Sequence, residues 1–376
     1  MSHQNCNILS IAPYRILPPS SGGHLGIVYV HHYLGKLCQD HVVSTVDNSS
    51  ADDYAFQLYN VFPETPKRYL PFYKFNELKA IAQKYDVNYI YCDHPYMAPT
   101  AMALSRKLKI PWFLRSHNIE AERFRTFGKK WWPVMKIFER FAMRQASGNF
   151  FITPEDMQWA QANYGVSPAK SHLVPYGTTL DKAPTGHDAA KKDIAATLKI
   201  NAGIPWLYFL GALDYLPNTQ AVAYILDEIM PRLNKNNLQY QVIVAGKGLN
   251  DDLKKRIENT PNILYTGFIP DLNQLLKACD IMLNPVILGG GIKTKAIEAL
   301  GYNKIVVSAQ SGAAGLVPEV CGDNLLVSPD HDWDAFTTDV IKAAGMHAEI
   351  PKTFYDMYYW GNIARNILAI LKGYNR

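Results

Sequence analysis

The sequence predicts an α/β protein with two doubly wound domains, each built on a parallel sheet. The chain has 376 residues, more than one hydrophobic core usually holds, so two domains are expected. Short apolar runs rich in Val, Ile, Tyr and Phe alternate with stretches at helical spacing, which is typical of strand–helix–strand units. The alternation stops at a linker near residues 174–186 and then starts again.

In the first half, predicted helices separate most of the predicted strands. The strands are expected at residues 7–12, 41–46, 87–92, 111–115 and 149–153, and the helices at 24–38, 97–108 and 154–164. The helix at 24–38 follows from apolar residues at helical spacing, among them Ile27, Val30 and Leu34. The first domain is expected to span residues 1–172.

The second half repeats this order of elements. The strands are expected at 206–211, 241–245, 263–266, 280–283 and 304–308, and the helices at 220–233, 250–257, 272–278, 292–300 and 333–344. Ligands of open α/β sheets bind beyond the carboxyl ends of the strands, and glycine-containing loops follow the strands at 7–12 and 280–283. The second domain is expected to span residues 173–352, with a further helix in 353–376.

The composition is that of a globular protein with a modest positive charge. Apolar residues make up 48% of the chain and charged residues 19%, with a formal net charge of +5. The five cysteines form no C-x-x-C pair, so neither a zinc site nor a disulfide framework is indicated. No apolar run reaches ~20 residues and no signal-peptide pattern opens the sequence, so a cytoplasmic location is expected.

The stretch 284–317 contains the strongest candidate for a binding loop. An apolar run, expected to be a buried strand, leads into Gly289, Gly290 and Gly291 and then into the helix at 292–300. Glycine lets the backbone approach a ligand, and the free N–H groups of a first helical turn attract an anion. The sequence therefore indicates an anion site at this turn.

Two side chains of the following helix favour a nucleotide-sugar ligand. Lys295 and Glu298 are three residues apart and share one helix face. A cation near the loop suits a diphosphate, and a carboxylate one turn deeper suits a pair of sugar hydroxyls. Lys293 lies roughly 200° around the helix from Lys295, so it could join only through the first turn. The alternative is an ordinary strand–helix turn with solvated lysines and an i,i+3 salt bridge.

The segment 289–316, GGGIKTKAIEALGYNKIVVSAQSGAAGL, resembles the donor-binding segment of the retaining glycosyltransferases of family 4, which have the GT-B fold. The shared pattern is a Gly-rich turn, a basic residue three before a glutamate, a small-residue helix, a VVS strand and a G-x-x-G-L turn. One position departs from it. Many members carry a second glutamate eight positions before Glu298, where this chain has Gly290.

The resemblance implies both a fold and an activity. In the GT-B fold, two Rossmann-like domains face a central cleft, the first taking the acceptor and the second the nucleotide-sugar donor. The C-terminal helix crosses back to the first domain. The implied reaction moves a sugar from a nucleotide-diphosphate donor to a hydroxyl of a glycan or lipid-linked glycan, without a metal and with retention of configuration. The nucleotide-sugar is a co-substrate, so no cofactor is expected.

Further segments match the family and assign residues to roles by resemblance. R-x-H-N-x-E after the strand at 111–115 makes His117 the residue that approaches the donor sugar, with Glu298 as the second catalytic candidate. The donor-binding set is Gly211, Asp214, Lys247, Gly290, Gly291, Lys293, Lys295 and Glu298, and the acceptor-side set is Gly22, Gly23, His24, Arg115, Asn118 and Glu120. Histidine titrates near neutrality, so His117 is expected to donate or accept a proton there. Capping of a turn is its alternative role.

No metal site is expected. Asp330, Asp332 and Asp334 form a D-x-D-x-D pattern, but they stand at the start of the predicted helix 333–344, so Asp332 or Asp334 is expected to cap it. His31 and His32 lie within a helical stripe without a carboxylate at ligand spacing. They are interpreted as partly buried, structural residues.

The stretch 121–146 is both basic and aromatic. Its cations are Arg123, Arg125, Lys129, Lys130, Lys136, Arg140 and Arg144, and its aromatic residues are Phe124, Phe127, Trp131, Trp132, Phe138 and Phe141. One interpretation is an amphipathic helix, 134–145, that packs Met135, Ile137 and Phe141 on the first domain. The other is a lysine–tryptophan patch at 129–132 that binds an anionic membrane surface, at the inner leaflet of the cell membrane. No nucleic-acid motif accompanies the stretch, so nucleic acid is not an expected partner.

Two other classes of function stay open. A nucleotide-sugar epimerase or hydrolase can share the fold and would release nucleotide without an acceptor. A non-catalytic nucleotide-sugar-binding protein would turn over nothing, and the missing glutamate at Gly290 leaves room for it. The presence of both His117 and Glu298 favours an enzyme.

Overall fold

The computed structural model describes residues 6–49, 52–70, 72–289 and 291–374. They divide into two compact units. The first contains the described residues up to Thr179 together with those from Trp360 onward, and the second contains Leu180–Tyr359. Each unit is built on its own parallel sheet, so the predicted α/β class is confirmed.

The described residues of the first unit form a seven-stranded parallel sheet. Its strands are β1 (Asn7–Ile11), β2 (Gln39–Thr45), β3 (Gln57–Phe62), β4 (Tyr89–Asp93), β5 (Trp112–Ser116), β6 (Gly148–Phe151) and β7 (Ser171–Leu173). Their order across the sheet is β3-β2-β1-β4-β5-β6-β7. The central strands β1, β4 and β5 are buried along their whole length, which explains why they read as continuous apolar runs.

Six helices follow these strands along the chain. They are α1 (Gly22–Gly35), α2 (Phe75–Lys84), α3 (Ala98–Leu108), α4 (Glu120–Thr126), α5 (Trp132–Gln145) and α6 (Pro154–Tyr164). Side-chain caps fix some of their starts. The Ser21 hydroxyl accepts from the His24 N–H at the start of α1, and the Thr153 hydroxyl accepts from the Asp156 N–H at the start of α6.

The described residues of the second unit form a six-stranded parallel sheet. Its strands are β8 (Trp206–Leu210), β9 (Gln241–Ala245), β10 (Ile263–Gly267), β11 (Ile281–Asn284), β12 (Ile305–Ala309) and β13 (Leu325–Ser328). The helices are α7 (His187–Leu198), α8 (Leu216–Tyr224), α9 (Met230–Lys235), α10 (Asp251–Glu258), α11 (Leu272–Ala278), α12 (Thr294–Gly301), α13 (Pro318–Cys321), α14 (Trp333–Ala344) and α15 (Lys352–Tyr358). A π-helical segment, Ile225–Ile229, joins α8 to α9.

Strand order reverses once in each sheet, and this places the candidate sites. The second sheet has the order β10-β9-β8-β11-β12-β13, so the reversal lies between β8 and β11. In the first sheet it lies between β1 and β4. Loops on either side of such a reversal diverge and leave a crevice at the carboxyl ends of the strands.

The C-terminal segment consists of two helices rather than one continuous helical stretch. After α15, α16 (Trp360–Gly373) belongs to the first unit and packs on α1. Trp360 is 1% exposed, and its N–H donates to the Thr178 carbonyl at 3.0 Å. Its side chain therefore has a packing role.

Candidate active site

Two loops of the second unit approach each other beyond β8 and β11. The loop after β8 begins at Gly211, and the loop after β11 contains Gly289 and Gly291, whose φ angles of 85° and 72° favour glycine. A Cβ atom on Gly211 would lie 3.2 Å from the Lys295 ammonium nitrogen, so side chains larger than glycine would crowd that lysine. Gly290, a predicted donor-binding residue, lies outside the described residues.

Lys295 lies in the first turn of α12 and directs its ammonium group toward the loop after β8. Its Nζ donates to Asn218 Oδ1 at 2.7 Å and lies 4.1 Å from the ring centroid of Phe209. Asn218 is oriented by its own Nδ2, which donates to the Ala212 carbonyl at 2.8 Å. Burial, and then the nearby charge of Lys293, lowers the pKa of Lys295 to about 7. An anionic ligand would stabilise this cation.

Glu298 lies one turn further along α12 and is half-buried. Burial raises the pKa of its carboxyl group. Within the described part of the chain, its carboxylate forms no hydrogen bond and no ion pair, with Lys295 or any other residue. The salt bridge offered as the alternative interpretation of this spacing is therefore wrong, and the carboxylate is available to a ligand.

Lys293 immediately precedes α12 and holds the glycine loop. Its Nζ donates to the carbonyls of Gly289 and Gly291 at 2.7 and 3.1 Å. Burial lowers the pKa of Lys293 to about 8. Lys293 thus shapes the loop that Lys295 adjoins, and direct donor binding by Lys293 stays a prediction.

The other donor-side candidates lie on exposed loops. Asp214 and Lys247 are both exposed, and the Lys247 ammonium lies 4.3 Å from the ring centroid of Phe268. The loops after β8 and β9 are packed closely, because a Cβ on Gly246 would lie 1.8 Å from the Gly211 carbonyl oxygen. The structure does not bring Asp214 or Lys247 into hydrogen-bond contact with Lys295 in the described residues.

The G-x-x-G-L turn after β12 is anchored to the end of β11. Asn284 Nδ2 donates to Ser308 Oγ at 2.9 Å and to the Gly312 carbonyl at 3.0 Å. A Cβ on Gly312 would lie 2.7 Å from both of those side-chain atoms, so the turn needs glycine for close approach rather than for its φ angle. This packing fixes the edge of the site beside the glycine loop.

In the first unit, His117 follows β5 and has two close neighbours. Its Nε2 lies 3.3 Å from Oδ1 of Asp93, the last residue of β4, and its ring stacks on His94 with centroids 4.1 Å apart. Burial, then the neighbouring His94, lowers the pKa of His117 to about 3, against the opposing effect of Asp93. The expectation that His117 titrates near neutrality is therefore wrong, because a desolvated imidazole stays neutral.

Two acceptor-side candidates, Arg115 and Glu120, are fully buried. Arg115 Nη1 donates to the Gly26 carbonyl of α1 at 2.9 Å. The Glu120 carboxylate accepts from the Tyr96 hydroxyl at 2.7 Å and from Arg123 Nη1 at 3.1 Å. Burial alone would raise the pKa of Glu120, but His94, whose Nδ1 lies 3.5 Å from the carboxylate, and the hydrogen bond from Tyr96 lower it to about 2. Arg115 therefore connects β5 to α1, and Glu120 connects α4 to the segment after β4.

The remaining acceptor-side candidates lie at the starts of helices. Gly22, Gly23 and His24 form the first turn of α1. Asn118 is half-buried in the turn between β5 and α4. None of these four contacts His117 through a hydrogen bond in the described part of the chain, so their roles toward an acceptor stay predictions.

Three charged residues that the sequence analysis did not select form a buried chain in the first unit. His31 Nδ1 lies 2.7 Å from Asp40 Oδ2, and His31 Nε2 lies 2.7 Å from Asp93 Oδ2. His31 is fully buried between two carboxylates, so its interpretation as a partly buried residue is wrong. The sequence contained one signal for these contacts. His31 lies on the inner face of α1 and Asp93 ends a buried strand, and such groups are rarely buried without a partner.

The D-x-D-x-D pattern is accounted for without a metal ion. Asp332 accepts from the Ala335 N–H at 2.9 Å and caps α14, as predicted. Asp330 accepts from the Ser311 N–H at 2.9 Å, and Asp334 pairs with Arg232 Nε at 2.7 Å. Each aspartate therefore has its own structural partner.

Helix α5 presents an apolar stripe to solvent. Val134, Ile137 and Phe141, at i, i+3 and i+7, share one face and are 68%, 74% and 49% exposed. Met135 is buried as predicted, but the interpretation that Ile137 and Phe141 pack on the domain is wrong. The opposite face of α5 is buried instead, because the carboxylate of Glu139 accepts hydrogen bonds from the N–H groups that begin α4.

Exposed aromatic and cationic residues continue this stripe. Phe127 and Trp131 precede α5 and are exposed, whereas Trp132 is half-buried. The exposed cations around the stripe are Arg123, Arg125, Lys129, Lys130, Arg140 and Arg144. We call Phe127, Trp131, Val134, Ile137 and Phe141 with these cations the α5 surface.

The described residues lack both a membrane-spanning helix and a metal-binding cluster. No helix there has the length and apolar character needed to cross a bilayer. No group of three or more His, Cys, Asp or Glu side chains there could hold a metal ion.

Comparisons with known proteins match both units. A family model described as Glycosyltransferase Family 4 matches residues 22–182, and one described as Glycosyl transferases group 1 matches residues 204–345. An uncharacterized 44.6 kDa protein in the cps region of Klebsiella pneumoniae is 27% identical over 129 residues, which are 32% of this chain and about a third (33%) of that relative's length.

Solved structures similar to this chain are GT-B glycosyltransferases. A glycosyltransferase from Rickettsia africae aligns with a TM-score of 0.74 at 14% identity, covering 100% of both chains. The Anabaena protein HepE, solved in complex with UDP and glucose, aligns with a TM-score of 0.69 at 14% identity, covering 98% of this chain and 100% of that one. At such identity the likeness shows the fold, which confirms the GT-B prediction. With the family 4 model matching the first unit and the group 1 model matching the second, the chain belongs to the glycosyltransferases of the family 4 type.

Proposed function

We propose that this glycosyltransferase moves a sugar from a nucleotide-diphosphate-sugar to a hydroxyl of a glycan or lipid-linked glycan, with retention of configuration and without a metal ion. One observation carries the proposal. In the described structure, Lys295 and Glu298 share a face of α12 beside the glycine loop, and neither neutralises the other. A cation followed by a carboxylate, neither of them in an ion pair in the described residues, matches a diphosphate followed by sugar hydroxyls.

In this proposal each group has a separate role. Lys295 and the N–H groups that begin α12 stabilise the charge that develops on the leaving diphosphate, the task that a metal performs in other enzymes. Glu298 accepts hydrogen bonds from hydroxyls of the donor. His117, a neutral imidazole, accepts a hydrogen bond from the donor sugar. UDP-sugars are the first donors to test, because HepE was solved with UDP and glucose.

The test measures nucleotide release from a panel of nucleotide-sugars, with and without oligosaccharide and glycolipid acceptors. We expect release that depends on an acceptor, a product with the anomeric configuration of the donor by NMR, and unchanged rates in a strong chelator. Release without any acceptor would identify a hydrolase or epimerase, and binding without release a non-catalytic protein. Activity that is lost in chelator and restored by Mg²⁺ or Mn²⁺ would contradict the metal-independent mechanism.

We also propose that the α5 surface binds an anionic membrane surface on its cytoplasmic side, which would bring a lipid-linked acceptor to the enzyme. Exposed large apolar side chains at helical spacing, flanked by cations, suit a helix that lies in the plane of the headgroups. Each cation near an anionic leaflet contributes about 1 kcal/mol of attraction. The apolar stripe is continuous from Val134 to Phe141, and Arg140 and Arg144 lie beside it.

Sedimentation with phosphatidylglycerol and phosphatidylcholine vesicles tests this surface. We expect binding to the anionic vesicles at low salt, weakened about a hundredfold or more by Ile137→Ser with Phe141→Ser, because two apolar side chains that contribute ~1.5–3 kcal/mol each are lost. The matched control is Leu37→Ser with Val46→Ser, which changes residues of the same unit that are 41% and 55% exposed. Equal loss in both double variants, or a wild type that stays in the supernatant, would contradict the proposal. A wild-type dimer that the stripe variant dissociates would show self-association instead.

A further inference from the structure

A line of hydrogen bonds runs through the interior of the first unit and ends at His117. Ser10 Oγ donates to Asp40 Oδ1 at 2.6 Å, and Asp40 contacts His31, which contacts Asp93. Asp93 uses Oδ2 for His31 and Oδ1 for His117. The line therefore joins β2, α1 and β4 to the residue after β5.

Geometry fixes the protonation of His31. Both of its ring nitrogens lie 2.7 Å from carboxylate oxygens, and an ionised carboxylate only accepts hydrogen bonds. Both nitrogens must therefore carry protons, which makes His31 an imidazolium. Burial lowers the pKa of His31, but Asp40 and Asp93 outweigh it and raise the pKa to about 9.

Charges inside this region balance. Asp40 and Asp93 supply two negative charges, His31 supplies one positive charge, and Arg115 supplies another with its Nη1 4.0 Å from Asp93 Oδ1. Tyr91 is a further titratable neighbour of His31, and its ring meets the imidazole edge-on with centroids 5.3 Å apart. Burial alone would raise the pKa of Asp93, but His31 and His117 hold it well below its usual range.

We propose that His31 and Asp93 are positioning residues that fix the tautomer of His117. The ionised Asp93 accepts the Nε2–H of His117, so Nδ1 of His117 keeps its lone pair and becomes the acceptor for a substrate hydroxyl. His94 stacks on the ring and prevents it from turning. The role of Nδ1 toward substrate rests on the proposed function, whereas the tautomer itself does not.

The charge of His31 has a consequence for the pH dependence of activity. In the wild type, Asp93 stays ionised across this range, so the His117 tautomer should not change with pH, and the decrease in kcat/KM between about pH 6 and 8 should be the one expected from Lys295. In His31→Gln, two carboxylates lose their shared cation, so the pKa of Asp93 rises. A protonated Asp93 no longer holds the His117 tautomer, so the ratio of kcat/KM of this variant to that of the wild type should increase with pH.

The experiment combines ¹⁵N NMR of the histidine rings with pH profiles of donor turnover. At pH 7.5 we expect one imidazolium, absent from the His31→Gln spectrum, and one neutral ring protonated at Nε2, absent from the His117→Asn spectrum. We expect kcat/KM of His31→Gln to be about tenfold below wild type at pH 6.5 and to recover with rising pH. Asp40→Asn is the control, because Asp40 is as buried as Asp93 and contacts His31 but not His117.

Three results would overturn the proposal: a neutral His31 at pH 7.5, a His117 protonated at Nδ1, or pH profiles of the same shape in His31→Gln and wild type. A purely structural role would lower the rates of His31→Gln and Asp40→Asn alike at every pH. The NMR spectra of the wild type decide the tautomer even if a variant fails to fold. Full activity of His117→Ala would refute the catalytic role of His117 and leave the tautomer assignment standing.

Discussion

Lys295 and Glu298 show what spacing along a helix can and cannot predict about single residues. Their separation of three residues predicted a shared face, and they do lie on one face of α12. Spacing could not predict that Lys295 hydrogen-bonds to Asn218, because the two residues are 77 positions apart and meet only when β8 and β11 pair. It also could not exclude a salt bridge between Lys295 and Glu298, because that depends on where the two side chains point.

Substitution of Glu298 tests its proposed role as a ligand for donor hydroxyls. Glu298→Gln keeps the size of the side chain but removes its charge, so kcat/KM for the donor should fall at least tenfold, or about 1.4 kcal/mol of transition-state stabilisation. Glu319→Gln is the control, because Glu319 is an exposed carboxylate of the same unit. Steady-state kinetics at saturating acceptor decide between the outcomes. An unchanged kcat/KM in Glu298→Gln would remove Glu298 from the site.

His31 illustrates a residue that sequence reasoning missed. Its two partners, Asp40 and Asp93, are 9 and 62 positions away, and neither distance corresponds to a helical or strand repeat. They meet because β1 pairs with both β2 and β4 while α1 covers them. An ion pair of this kind follows from strand order, which a single sequence does not supply.

At the scale of helices and strands, the interior strands were predicted from the sequence, whereas three of the four edge strands in the described residues were not. The bounds of α6, α11, α14 and β9 agree with the predictions from apolar periodicity and flanking signals. The three strands β3, β7 and β13 were missed. The strands β3 and β7 are half-buried or exposed along most of their length, and β13 has one exposed position in four, so their apolar pattern is weak.

The position of helix α5 along the chain was predicted correctly, but its buried face was not. Apolar residues occur on two of its faces, with Met135 and Met143 on one and Val134, Ile137 and Phe141 on the other. Periodicity alone therefore could not choose the buried face. The choice depends on Glu139, whose carboxylate caps α4, a contact between two helices.

The packing of β11 against the turn after β12 leads to a stability prediction. Gly312→Ala places a methyl group 2.7 Å from Asn284 Nδ2 and Ser308 Oγ, so we expect a loss of ~1–3 kcal/mol in the free energy of unfolding. Gly345→Ala is the control, because its nearest atom would be 3.7 Å away and the effect should stay within ~0.5 kcal/mol. Urea unfolding of both variants measures the difference. Equal stability of the two would contradict the close packing at Gly312.

At the scale of the whole molecule, two sheets with matching strand orders explain why the alternation of strands and helices identified the fold. Each has a central strand flanked by its second and fourth strands, and each carries candidate residues at the carboxyl ends beside that reversal. The family followed from one segment, 289–316, because its glycines, lysine and glutamate have fixed places on the β11–α12 turn. Chemistry that depends on contacts across a sheet, such as His31 with Asp93, required the structure.

The most direct test of the central claim is calorimetric binding of a nucleoside diphosphate and its parent nucleoside to the wild type and to Lys295→Ala. The ligand is the diphosphate that most raises Tm, beginning with UDP. Lys295→Ala should weaken the diphosphate at least about tenfold and the nucleoside less than about twofold, because a charge-assisted contact is lost. Lys235→Ala, an exposed lysine of the same unit, should change neither.

The same titrations, repeated at several pH values, test whether the charge of Lys295 controls diphosphate affinity. Since burial lowers the pKa of Lys295 to about 7, the wild type should bind the diphosphate more weakly as pH rises from 6 to 8, and Lys295→Ala should lack this decrease. Selective, pH-dependent loss of diphosphate affinity is the result that the account predicts. Equal weakening of diphosphate and nucleoside in Lys295→Ala would contradict it, because the diphosphate would then lie elsewhere.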